Sequence, residues 1–182
     1  MAVKDAITAT PTRHDLLGIY LNDHLAGATA GMGLARRMAA SAEPGSAREG
    51  QLRKLAGEIA ADRTALVRVM DALGVKVRGY KVFGAWAGEK AGRFKFNGHL
   101  VSRSPLSDLE ETEILRLGVT GKAAGWRTLR ALASSDSRID AARLDELLDR
   151  ASRQEDELES LRVTVADRVL GEGSRNSLPR VP

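Results

Sequence analysis

Residues 74–105 read GVKVRGYKVFGAWAGEKAGRFKFNGHLVSRSP. This 32-residue stretch separates two pairs of long amphipathic helical patterns, and the fold turns on what a connection of that length can do. Short breaks precede and follow it. Pro44-Gly45 interrupts the first pair and Ser134–Ser137 the second. A short break makes each pair a helical hairpin. A connection of 32 residues is long enough to cross the length of such a hairpin. A structureless loop of that length would be unusual inside a compact domain, so the spacing predicts an additional short helix over 80–96.

The flanking patterns are specific. The first helix is expected over about 13–40, capped by Thr12 with Asp15 three residues on, and carries Leu17, Leu21, Ala28, Gly31, Ala35 and Met38 on one stripe. The second, about 46–73, opens on Ser46 with Glu49, runs Leu52, Leu55, Ile59, Leu66, Val69, Leu73, and stops at Gly74. The third, about 105–133, starts at Ser104-Pro105 with Leu106, Leu109, Leu115, Leu129 and Leu132 inward. The fourth, about 138–170, places Leu144, Leu148, Ala151, Leu158, Leu161, Val165 and Val169 together. Residues 13–171 are thus expected to form one all-α domain, an antiparallel four-helix bundle, with 1–12 and 172–182 as flexible ends.

The 182 residues suffice for one domain with a sizeable core. The absence of cysteine excludes disulfides, thiolate metal sites and a cysteine nucleophile, and fits a reducing cytoplasm. The longest charge-free run of the first helix, Leu25 to Ala35, is 11 residues, far short of the roughly 20 needed to span a bilayer. No Walker loop, GxSxG, HExxH or EF-hand pattern occurs. Catalysis is therefore not the leading expectation.

The segments LLGIYLNDHLAGATAGMGLARR (residues 16–37) and LAGEIAADRTALVRVMDALGV (residues 55–75), with the order of elements, resemble bacterial ferritin-like proteins of unassigned function. The resemblance covers about residues 13–170. It implies ferritin-like connectivity, two hairpins joined by one long crossover, and frequent oligomerisation. It does not carry iron chemistry with it. Ferritin-like di-iron sites draw on paired Glu-x-x-His motifs, and none of His14, His24 or His99 follows a Glu by three residues.

Polar residues nevertheless interrupt the apolar stripes near their midpoints: His24, Asp62 with Glu58 one turn before it, Lys122 and Glu155. Two readings stay open. His24, Glu58, Asp62 and Glu155 offer nitrogen and oxygen ligands to a divalent metal such as iron or manganese. With Lys122 included, the same residues form a buried polar layer that fixes register. An ammonium repels a metal ion, so the lysine favours the layer and no cofactor. Glycines also recur every fourth position, at Gly27 and Gly31 and at Gly121 and Gly125, a spacing expected where another helix comes close.

The connecting stretch holds seven basic residues against one acid and five of the seven aromatics, whereas the rest of the chain has 21 basic and 23 acidic residues. Tyr80, Lys81, Phe83, Trp86, Lys90, Arg93 and Lys95 could cap the bundle or meet a protein partner, a homodimer included. They could also meet an anionic membrane surface or nucleic acid. The net charge of +4 is too small to favour nucleic acid on its own. The leading functional expectation is a non-catalytic bundle acting through self-association or a partner protein. A metal-dependent oxidase or storage protein and an anionic-surface binder are the alternatives.

Overall fold

The computed structural model describes residues 10–78 and 105–171, which form four helices and no strand. They are α1 (Arg13–Ser41), α2 (Ala47–Ala72), α3 (Pro105–Leu132) and α4 (Ala141–Leu170). The short helix expected over 80–96 lies outside the described residues, as do most of the two chain ends.

Local chemistry sets each boundary. Thr12 caps α1 by accepting from the Asp15 amide at 3.2 Å, while the Thr12 amide donates back to the Asp15 carboxylate at 2.9 Å. These hydrogen bonds hold the Asp15 carboxyl below its ordinary pKa. At α2, Ser46 accepts from the Glu49 amide, but Glu49 reaches past the cap to the Gly45 amide at 2.7 Å. Gly45 can present that amide because it sits at φ 77°, where a side chain would be strained.

The end of α2 is a Schellman motif. The Val75 amide donates to the Met70 carbonyl and the Gly74 amide to the Asp71 carbonyl, with Gly74 at φ 68°. α4 starts three residues later than the pattern predicts. The delay has a cause: Asp136 grips the Arg138 amide and guanidinium, and Asp140 takes the cap position by accepting from the Arg143 amide. The Arg138 hydrogen bonds pull the Asp136 carboxyl down to about 2.

α1 packs on α2, α3 on α4, and α1 on α3. The apolar interior falls into two clusters. One joins the C-terminal half of α1 (Leu34, Ala35, Met38), the N-terminal half of α2 (Leu52, Leu55, Ile59), the N-terminal half of α3 (Leu109, Leu115, Val119) and the C-terminal half of α4 (Leu158, Leu161, Val165). The other joins the opposite ends, with Leu21, Leu25, Leu66, Met70, Trp126, Leu129, Leu144 and Leu147. At the outer end of the first cluster Asp108 at the start of α3 bridges Arg48 of α2 and Arg168 of α4, at 2.7 and 2.6 Å.

After α2 the chain turns onto α1. Val75 is buried and approaches Gly18. The buried Asn22 amide then donates to the Lys76 carbonyl at 3.1 Å and accepts from the Arg78 amide at 2.8 Å. One side chain thus serves the backbone as a neighbouring strand would. Asn22→Ala leaves those groups unsatisfied, at a cost of about 1–3 kcal/mol. The expected outcome is a lower unfolding midpoint and faster hydrogen exchange at the Arg78 amide. An unchanged Arg78 exchange rate would show that the clamp does not hold the chain.

Candidate functional site

Between the two clusters a charged residue reaches the centre of the structure. Asp62 of α2 lies between Ile59 and Leu66 on the buried stripe, where only 1% of its surface meets solvent. A lone carboxylate there would cost several kcal/mol. Its oxygens are instead fully engaged. Oδ1 accepts from Arg150 Nε at 2.8 Å, with Nη2 of the same guanidinium at 2.6 Å. Oδ2 accepts from Lys122 Nζ of α3 and, more weakly at 3.4 Å, from Gln154 Nε2 of α4.

Gln154 completes the arrangement. It is wholly buried, accepts from Lys122 through Oε1, and donates through Nε2 to Glu58 Oε2 at 2.9 Å. The amide orientation follows from these partners, since the ammonium can only donate and the carboxylates only accept. Glu58 also lies 3.8 Å from Lys54, which bonds Glu157 of α4. Two carboxylates, Asp62 and Glu58, therefore meet two cations, Lys122 and Arg150, around one neutral amide. Burial pushes the Lys122 pKa below its ordinary value, and the Asp62 carboxylate pulls part of the way back.

The residues singled out in the sequence sort into three places. Asp62, Glu58 and Lys122 meet in this layer. Glu155 does not join it: Gln154 occupies the inward position, and Glu155 sits half-buried beside it. Arg150 and Gln154, which are not among the residues singled out in the sequence, join the layer. The signal for Gln154 was present in the 4–3 alternation Leu147, Ala151, Gln154, Leu158, Leu161, Val165, all of them buried.

His24 faces α3 instead. Its ring meets Tyr20 edge-on at 4.5 Å and lies on Gly125, where a Cβ would come within 2.9 Å of the ring. Tyr20 bonds Thr128 of α3 at 3.1 Å, which fixes the ring's near side. Burial lowers the His24 pKa below 6.5, opposed by Asp23. Among the described residues no three His, Cys, Asp or Glu side chains converge as metal ligands. Tyr80, Lys81, Phe83, Trp86, Lys90, Arg93 and Lys95 lie outside the described residues.

The glycines also divide. Across the α1–α3 seam the His24 ring comes so close to Gly125 that a Cβ there would clash, whereas a Cβ on Gly31 would make only an ordinary contact with Leu115. Gly27 and Gly121 meet nothing within 4 Å among the described residues. On the outer side of α1 and α2 an open groove of about 350 Å³ is lined by Arg36, Ala39, Ala40, Arg53, Ala56 and Gly57. Its polar side chains are two arginines, with no carboxylate or histidine among them to exchange a proton.

Two outcomes test this geometry. Asp62→Ala strands two cations and is expected to cost about 3–5 kcal/mol in chemical denaturation, whereas Glu155→Ala costs less than about 1 kcal/mol. Similar losses for both would contradict the placement. For His24 the sign follows from its lowered pKa: below 6.5 the unfolded chain takes up a proton that the folded ring refuses. Stability from this group is therefore present above 6.5 and declines as pH falls towards the folded value. His24→Gln should flatten that part of the stability–pH curve between pH ~7.5 and ~5, and a curve unchanged by the substitution would refute it. Comparison of the chain with protein-family models, curated proteins and solved structures found no match.

Proposed function

We propose that this chain is a non-catalytic four-helix protein of ferritin-like connectivity that works by associating with itself. The observation that carries the reading is the fate of Asp62. Among the described residues, the one carboxylate fully enclosed at mid-bundle is neutralised by the Lys122 ammonium and the Arg150 guanidinium. Those are groups that repel a metal ion and complete an ion-pair layer. Glu58, the second carboxylate, is tied to the Gln154 amide, and His24 is packed on Gly125. The polar groups of this layer are engaged in holding the helices together, which favours a surface as the part that acts.

The ferritin-like connectivity is supported by where the helix ends meet. Leu73 belongs to one cluster, while Leu106 and Leu109 of early α3 belong to the other. The end of α2 and the start of α3 thus lie at opposite ends of the bundle: α1 and α2 run in opposite directions, as do α3 and α4, while α2 and α3 run the same way. Exposed Ile114 and Leu117 on α3 offer apolar surface that favours association.

Light scattering across a concentration series tests the reading. The expected mass approaches twice the 19.5 kDa of one chain at micromolar concentration. Protein purified from an iron- and manganese-supplied host is expected to carry substoichiometric metal that His24→Ala does not change. A single-chain mass up to ~100 µM would remove self-association. Stoichiometric metal lost in Asp62→Asn would replace the reading with the metal-binding alternative.

A further inference from the structure

The outward face of α3 carries a pattern that none of the other described helices covers. Glu110, Ile114, Leu117, Gly121, Ala124 and Thr128 recur at three- and four-residue spacing and form one stripe. Leu117 is 65% exposed and Ile114 48%, the largest apolar exposures on this helix. Gly121 and Ala124, one and two turns on, are exposed as well, and a Cβ on Gly121 would meet nothing within 4 Å. Large residues thus occupy the first half of the stripe and small ones the second. Charge follows the same division, with Glu113 exposed beside the large half and Arg127 exposed beside the small half, on the same flank.

The geometry points to this face as the surface on which a second copy of the chain docks, α3 against α3, antiparallel about a two-fold axis level with Val119. The inference rests on the self-association proposed above and names its surface. In such a pairing residue i meets residue j and j meets i. Positions whose numbers add to about 238 lie opposite one another. Leu117 of each copy then sits over the bare backbone at Gly121 of the other, and Ile114 over Ala124. Glu113 comes beside Arg127 of the second copy, because a two-fold axis brings like flanks together. Every large side chain faces a small one, and each exposed acid of the flank faces a base. A parallel pairing would set Leu117 on Leu117 and Glu113 on Glu113, so the distribution selects the antiparallel form. The helical run from Glu110 to Thr128 is roughly 27 Å at 1.5 Å per residue, enough for about two and a half heptads of contact.

The chain has no cysteine, which makes the contact directly readable. Leu117→Cys and Gly121→Cys in one chain are expected to oxidise into an interchain disulfide, since the pairing sets them opposite each other. Cysteines placed instead at the exposed Val163 position of α4 should not cross-link. Leu117→Glu is expected to weaken dimerisation at least tenfold, with the helical signal and unfolding midpoint retained because the position is exposed. Glu113→Arg or Arg127→Glu alone should weaken it severalfold, and both together should restore it. A dimer by light scattering that shows no 117–121 cross-link and is indifferent to Leu117→Glu would overturn this surface while leaving self-association standing. A single-chain mass with the 121 thiol shielded from maleimide would assign the face to the chain's own residues 79–104 and overturn the proposal too. A single-chain mass with that thiol freely labelled would overturn both the surface and the self-association.

Discussion

Asp62 brings a negative charge into an interior from which it cannot reach water, and the rest of the structure is arranged around supporting it. The groups that do so come from two other helices: Lys122 from α3, Arg150 and Gln154 from α4. Apolar contacts alone tolerate sliding, because leucine on leucine is favourable in several registers. A carboxylate that needs an ammonium on one oxygen and a guanidinium on the other is not so tolerant. Moving any of the three helices by one turn, 5.4 Å, would break the set and leave buried charge unpaired. The layer also explains why the apolar interior is two clusters with a charged plane between them.

α1 is held by other means. It contributes no charge to the Asp62 layer and fastens to its neighbours through single polar contacts: Arg63 to Thr29, Tyr20 to Thr128, and the Asn22 amide to the backbone of 76–78. Gly125 at its seam with α3 lets the His24 ring fit where a side chain would collide. The central carboxylate, ammonium and amide are partnered with one another, while the buried Trp126 indole N–H finds no hydrogen-bond partner among the described residues. The exposed face of α3 is asymmetric, with its large residues gathered at one end and its small ones at the other.

Much of this was legible in the sequence, for physical reasons that differ by element. Three- and four-residue spacing of leucine, with Thr12, Ser46 and Gly74 as punctuation, located α1 and α2 to within a residue or so because caps and apolar stripes act locally. The start of α4 was read three residues early because Asp136 and Arg138 form a private turn that apolar periodicity does not register. Asp62, Glu58 and Lys122 stood out as polar residues on apolar stripes, and they meet. Glu155 is the more conspicuous of the two neighbours because it carries a charge, although the alternation of four and three favours position 154. Arg150 was illegible for another reason. It reaches the layer from the flank of α4 with a long stem, and spacing rules place Cβ atoms, not the far ends of arginines. His24 lies on the right stripe but on the α3 side of it, a difference of rotation that only the packed helices decide.

The central claim, that the mid-bundle charges exist for one another, is tested most directly by a double-mutant cycle on Asp62 and Lys122. Asp62→Leu and Lys122→Met are measured singly and together by urea denaturation. The account predicts that each single change costs several kcal/mol while the pair costs clearly less than their sum, with a coupling of about 1–3 kcal/mol, because the double variant leaves neither member of the pair without its partner. Strictly additive losses would contradict it, since they would mean that carboxylate and ammonium are stabilised independently and the layer is no unit at all.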